Sequence, residues 1–435
     1  MLISALPLYS NAKNPEFGLA EQPQVFLQAP AYLHLLWQEA VHKHPQVLIQ
    51  QQTLKSTSFD IQVTEQAFYP TPSVSIERAQ SNGGIDPSYA GAPQLTLIKL
   101  QQPLWTGGRL SAQRNKANAN QAIEWARLLE IQQGLAIKTL QAWTEVVGAQ
   151  RQQMALRQAR TELEQLQTKI ERRAEQGVST QSEVKLSKLK VALVKQLLNQ
   201  TKMQEDLAWL RLKQWVPEAD TLRPLDMDQQ GLLKESQAHL QSIQSIDWEL
   251  LSASQSPVAM RLQSLLRFQE AELEEKRAAY QPDIYLRAER QYGNYAFNNT
   301  QSVNRIFVGM TATTGAGLSL QNQLASLMAK HGSAQHEIEA TQRLLTESVQ
   351  SDVLNLIARQ SKAEELKLNL ESLQEIQTAW LRQFDNGRKS WIEVMNAVQE
   401  TMQSQLAIIE NDTSLQLSYW RLQLLAFGVS RWAKP

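Results

Sequence analysis

The chain has 435 residues, enough for two or three ordinary domains, and carries 43 basic and 43 acidic side chains. That zero balance argues against a nucleic-acid binder, which needs an excess of positive charge to neutralise phosphates. The absence of cysteine excludes disulfides, thiolate nucleophiles, thiolate metal sites and a lipid-bearing cysteine, while abundant Gln, Leu and Ala with sparse Gly and Pro point to long helices.

No stretch reaches the roughly 20 continuous apolar residues of a spanning helix, so any passage through a membrane must use strands. Residues 1–30 read as a truncated signal peptide or a flexible start. Leu2 to Leu8 is apolar but lacks a basic flank, and Ser10-Asn11-Ala12 is like a small-residue cleavage site. A helix is expected from Leu33 to Tyr69, ended by Pro70, which drives the preceding residue toward extended geometry. Two extended segments follow, Ser73 to Ala79 and Gln94 to Leu100, joined by the turn-rich Ser81-Asn82-Gly83-Gly84. Their near-alternation and length, about ten residues with flanks, suit tilted membrane strands; a soluble meander is the alternative.

Gly107 and Gly108 supply a strand-to-helix turn. From Arg109 to Glu175 there is no proline and only Gly134 and Gly148 as glycines, which predicts one helix of roughly 100 Å. Leu156, Leu163, Leu166 and Ile170 recur at coiled-coil spacing, which an ordinary soluble coiled coil would share. The chain reverses at Gly177 and returns from Ser182 to Trp215. Residues 217–256 have no repeat partner and are expected to form an equatorial belt.

The second half repeats the first. Pro45 and Pro70 recur as Pro257 and Pro282, Gly107-Gly108 as Gly315 with Gly317, and Gly177 as Gly387. The shift is 208 to 212 positions throughout. A Glu-Val pair follows each later glycine at the same offset, Glu183-Val184 and Glu393-Val394, and each half closes on tryptophan-rich helix, with Trp209 and Trp215, then Trp420. The expected second-half elements are a helix from Val258 to Gln281, strands Asp283–Glu289 and Asn304–Met310, the link Tyr292-Gly293-Asn294-Tyr295, and a hairpin. Leu366, Leu370 and Leu373 repeat the leucine spacing of the first hairpin, and the return helix runs from Ser390 to Phe427. The repeats thus span 31–216 and 257–428, with a tail at 429–435. Four strands per chain cannot close a barrel, an open edge is not tolerated in lipid, and eight strands fill their own interior. Three or more copies are therefore favoured.

These residues resemble the TolC family of outer-membrane efflux and secretion proteins over nearly the whole chain. The resemblance rests on Pro45 after a helix, Tyr69-Pro70, Leu104-Trp-Thr-Gly-Gly-Arg109, Arg173-Ala-Glu-Gln-Gly177 and Arg382-Gln-Phe-Asp-Asn-Gly387. It implies a mainly α fold with a small β part, a homotrimer with a twelve-stranded barrel in the outer-membrane lipid, and an α-helical barrel in the periplasm. The hairpin tips, Gly177, Val178 and Ser179 with Gly387, Arg388 and Lys389, would dock a periplasmic adaptor coupled to an ABC or proton-driven inner-membrane pump. Acidic residues beyond the second tip ring the entrance in such proteins; Glu393 falls on the first acidic position, and Asn396 departs from the second. Glu393 is otherwise a solvated helix residue. The run Gln101 to Gly108 is similar to the branch serving type I secretion of large adhesins, with multidrug efflux as the other option.

Nothing in the sequence supports an enzyme. No pair among His34, His42, His44, His239, His331 and His336 has metal-ligand spacing around a carboxylate, and the glycines match no nucleotide-binding fingerprint. Neither a metal nor a cofactor is expected. The remaining alternative is a periplasmic or soluble coiled-coil scaffold or adaptor. An adaptor would carry one hairpin and an apolar anchor, whereas this sequence shows two hairpins.

Overall fold

The computed structural model describes residues 31–78, 94–219, 256–293, 302–312 and 319–428. The signal-like start, the turn at 81–84, most of the 217–256 belt, Asn294-Tyr295, Gly315, Gly317 and the tail lie outside them. The elements in chain order are α1 (Ala31–Lys43), α2 (Pro45–Gln66), β1 (Thr71–Arg78), β2 (Gln94–Trp105), α3 (Arg109–Glu175) and α4 (Gln181–Trp215). The second half supplies α5 (Pro257–Ala278), β3 (Asp283–Tyr292), β4 (Val303–Thr311), α6 (Ser319–Asp385) and α7 (Trp391–Phe427).

The single helix expected over 33–69 is two helices. His44 takes an extended conformation between them, its Nδ1 accepting from the Gln46 N–H at 3.2 Å, and Pro45 opens α2. Proline fits a first helical position, where its missing N–H has no intrahelical partner. Pro257 opens α5 behind Ser256 in the same way, so the repeated proline marks a helix start in both halves. Two strands are also longer than expected. β2 runs on through Pro103 to Trp105, because β1 pairs with it only as far as Gln101. Beyond that point one side of β2 is an edge, where proline removes no ladder bond. β3 similarly continues past Glu289 to Tyr292.

The long helices α3 and α6 have 67 residues each, about 100 Å of rise. Helix α3 packs against α1, α2 and α4 of its own half and α5 and α7 of the other; α6 packs on α5 and α7. Three apolar clusters form among the described residues, the smallest being Val47 of α2 with Leu128 and Leu135 of α3. An equatorial core gathers Leu36 and Trp37 of α1, Leu140 and Trp143 of α3, Leu212 of α4, Leu356 of α6 and Trp420 of α7. The Trp37 indole N–H donates to the Ala136 carbonyl at 3.1 Å, which satisfies the polar end of this buried ring. Nearer the tips, Leu156, Leu163, Leu166 and Ile170 meet Val184, Val191, Phe384, Val394 and Val398. Leu366, Leu370 and Leu373 of α6 are only half-buried.

The sheet order is β1-β2-β3-β4, antiparallel throughout, so the central pair joins strands from opposite halves. At its base Arg109 meets Asp283 at 2.7 Å, tying the start of α3 to the start of β3.

Candidate duct wall and hairpin tips

Cross-strand partners share a face, so the register sorts the sheet into two surfaces. One face carries Val74 and Ile76, Ile98 and Leu100, Leu286 and Ala288, and Ile306, Val308 and Met310. The other carries Ser73, Ser75 and Glu77, Lys99 and Gln101, Arg287, Glu289 and Gln291, and Arg305, with Tyr285 and Phe307 among them. The apolar face is the more exposed one: Ile306 and Val308 are 76% and 73% accessible. On β3, residues of the polar face are half-buried while most on the apolar face are exposed, as in a sheet curled toward its polar side. A water-soluble sheet does the reverse, hiding its apolar face.

The apolar band also runs obliquely. Its centre is Val74 on β1, level with Ile98, and Val308 on β4, level with Gln102 through Leu286. Four residues of strand are about 13 Å and three strand spacings about 14 Å, which gives a tilt of roughly 40°. That is the inclination of strands in a membrane barrel.

The polar face is internally paired. The Arg287 guanidinium lies 4.8 Å from the Phe307 ring centroid and 5.8 Å from that of Tyr285. Glu289 sits 3.4 Å from Arg287 and 3.7 Å from Arg305. Gly309 stands opposite Tyr285, and a Cβ there would come within 2.5 Å of the tyrosine ring.

Where sheet meets helix, Gly107 and Gly108 have φ of +58° and +88°, conformations glycine adopts without steric cost. Gly107 also faces Gln281 so closely that any Cβ would collide with its side chain.

Each hairpin tip is built from two local motifs in series. Gly177 and Gly387 adopt φ of +75° and +70°. Val178 N–H donates to the Arg173 carbonyl and Gly177 N–H to that of Ala174, while Arg388 and Gly387 repeat this with Gln383 and Phe384. This is a Schellman helix ending with glycine in its required place. Three residues later a hydroxyl residue starts the return helix. Thr180 Oγ1 accepts from Glu183 N–H at 3.3 Å, and Glu183 accepts in turn from Thr180 N–H at 2.7 Å. In the second tip the Ser390 N–H and hydroxyl both donate to Glu393, at 3.2 and 2.7 Å. The repeated Glu-Val pair therefore has a local cause: the glutamate closes a capping box, and Val184 and Val394 are buried behind it.

Both capping glutamates are held below the usual carboxylate range, chiefly by partners outside the caps. Glu393 is lowered to about 2, first by the Lys389 ammonium at 2.8 Å and then by Ser390. Glu183 is lowered chiefly by the Trp391 indole N–H, which donates to it at 2.9 Å. That bond also joins the two tips, as does Lys169 with Asp385 at 2.7 Å. Lys389 is folded back over the Trp380 ring at 4.2 Å, whereas Val178 and Arg388 are exposed and Ser179 is half-exposed. Asn396 lies one turn beyond Glu393, where Lys190 of α4 donates to it at 3.3 Å and to Gln399 at 2.8 Å. Sequence reading missed Lys190, and also missed the tip-joining bonds, which connect residues more than 200 positions apart. The capping boxes were open to it in Thr180-x-x-Glu183 and Ser390-x-x-Glu393.

Residues 36–216 match the outer membrane efflux protein family, and no curated protein sequence matches the chain. Solved structures share its fold at low identity. The outer membrane protein VceC of Vibrio cholerae is 16% identical with a TM-score of 0.74, covering 92% of this chain and 96% of its own. The CmeC outer membrane channel of Campylobacter jejuni is 12% identical with a TM-score of 0.75, covering 98% and 94%. The open state of the MtrE outer membrane channel of Neisseria gonorrhoeae is 12% identical with a TM-score of 0.68 and full coverage of both.

Proposed function

We propose that this chain, whose residues 36–216 match the outer membrane efflux protein family, is one subunit of a homotrimeric duct that completes export from the cell. It is an outer-membrane protein whose helices extend into the periplasm. The observation that carries the duct reading is the inverted sheet: its apolar face is the exposed one, and the polar face of β3 is half-buried. A single chain leaves β1 and β4 unpaired on their outer sides, which lipid does not tolerate. Head-to-tail pairing of β4 on one chain with β1 on the next closes a ring, and three copies give twelve strands around a lumen lined by the polar face. The helices support the same symmetry. Exposed apolar rows lie on α4 (Leu189, Leu193, Met203, Leu207, Leu210) and on α6 (Leu344, Leu354, Leu368), surfaces that adjacent copies would cover.

In this duct the tips around Gly177 and Gly387 face the cytoplasmic membrane and dock an adaptor, through which an inner-membrane pump delivers cargo. Val178, Ser179 and Arg388 are the accessible docking side chains, while Lys389 stays committed to Glu393. The cargo is a secreted protein or a small molecule. Glu393 and Asn396 form the entrance ring. With Lys389 and Lys190 already placed beside them, its affinity for cations is modest. Asn396→Asp should therefore strengthen divalent block in planar-bilayer recordings and Glu393→Ala weaken it; unchanged block in both removes these residues from the entrance.

The duct itself is tested by extraction and mass. Membranes should release the protein only in detergent, as a trimer. A monomer that is soluble without detergent would leave a periplasmic scaffold as the reading.

A further inference from the structure

The apolar face of the sheet carries only two charged residues among the described strand positions, Arg78 on β1 and Arg290 on β3. Both are exposed. Arg78 lies four residues past Val74, and Arg290 four residues past Leu286, in each case toward the end of the sheet away from the helices. Val74 and Leu286 lie on the midline of the oblique apolar band. Four residues are about 13 Å of strand, which at a tilt of roughly 40° is about 10 Å of height. The lipid-facing band of a membrane barrel extends about 12 Å either side of its midline, a difference that an arginine side chain spans. The two guanidinium groups thus stand at the upper boundary of the band. Thr96 and Asn304 continue the same polar rim, each four residues past Leu100 and Val308. Arg290 is further oriented there, its guanidinium 5.0 Å from the Tyr292 ring centroid and its Nη2 3.4 Å from Ser302 Oγ. At the opposite, helix-side boundary the same face presents Trp105, Ile284 and Met310 and no cation.

We infer that Arg78 and Arg290 form a lipid-facing cationic belt that binds the phosphate groups of the outer-leaflet glycolipid. The inference rests on the outer-membrane reading of the sheet and adds the lipid it selects. Among the described strand positions, two positive charges and no negative ones face the lipid at one boundary only, so the belt matches an anionic headgroup found in one leaflet. A zwitterionic headgroup also offers a phosphate, but its own ammonium offsets that charge. A net-anionic headgroup with more than one phosphate therefore pairs better with two guanidinium groups. Arginine suits the role because its planar fork donates two parallel hydrogen bonds to one phosphate.

The test is native mass spectrometry of the full-length trimer released from nanodiscs. These would contain either bisphosphorylated lipid A or acyl-matched lipid A with both phosphates removed. The wild type should retain the phosphorylated lipid preferentially. Each arginine should contribute about five-fold to retention, so Arg78→Gln with Arg290→Gln should lower it by more than ten-fold. The Arg78→Lys, Arg290→Lys pair should keep most of it. Arg305→Gln, which removes a charge from the polar face, should change nothing. If the double glutamine variant fails to assemble, each single variant should still show its own five-fold loss. Equal retention of the two lipids by the wild type overturns the belt, as does an equal loss in Arg305→Gln. A protein that needs no detergent at all would instead remove the outer-membrane reading on which the belt stands.

Discussion

Glu393 has a measurable job that needs no partner protein. Its carboxylate accepts from Ser390 and pairs with Lys389, and these donors lower its pKa from 4.5 to about 2. A group lowered on folding contributes stability that is full above its unfolded pKa and lost as pH falls through the folded one. Amide protection at 390–394 should therefore hold above about pH 4.5 and decline toward pH 2, measured by hydrogen exchange, and Glu393→Gln should flatten that decline. Gly309 gives a second residue-scale prediction. Its missing Cβ makes room for the Tyr285 ring, so Gly309→Ala should lower the melting temperature of the detergent-solubilised protein. Adding Tyr285→Ala should recover part of the loss, since the clash disappears with the ring. Neither the clash nor the Lys389 pairing is legible in the sequence, since strand register and side-chain direction decide both.

The hairpins are the elements that the sequence states most openly. Proline-free runs, a left-handed glycine and Thr180-x-x-Glu183 are local signals, and local signals survive into the structure because a coiled-coil hairpin is made from neighbours. The strands were less legible. Pro103 reads as a strand end until the shorter reach of β1 is known, and Pro45 reads as helix interior until His44 is seen to leave the helix. The tips allow a graded test. Gly177 and Gly387 have open space where a Cβ would go, so alanine there costs backbone strain alone, about 1–2 kcal/mol. Thr180→Ala should cost about 1 kcal/mol through the lost cap. Both should reduce protection of the hairpin ends while the trimer persists. Loss of the trimer would show that the tips serve assembly as well as reversal.

For the whole molecule, the decisive surfaces are the two free strand edges. The chain contains no cysteine, so introduced ones report cleanly. Ser75→Cys on β1 with Phe307→Cys on β4, treated with a flexible bis-maleimide, should yield covalent dimers and trimers and nothing larger. A ladder beyond three would mean an open filament in place of a closed ring. The repeated order of elements was legible in the sequence, because repeated landmarks are countable. The faces of the sheet and the side chains joining the tips were not, since both depend on which strand or helix lies beside which.

The crossing of halves within the sheet also sets an order of events. β2 and β3 are neighbours in space, yet about 180 positions and a complete helical hairpin separate them. Closing a connection of that length costs entropy before any ladder bond forms, whereas each hairpin closes through a turn of five residues, 176–180 or 386–390. The hairpins are thus positioned to fold first, and they bring β2 and β3 together only once α3 has packed on α5. Until then the chain exposes no finished apolar sheet, and it can cross an aqueous compartment before committing to lipid. Pulse-labelled exchange during refolding into micelles should show α3, α4, α6 and α7 protected before any strand amide.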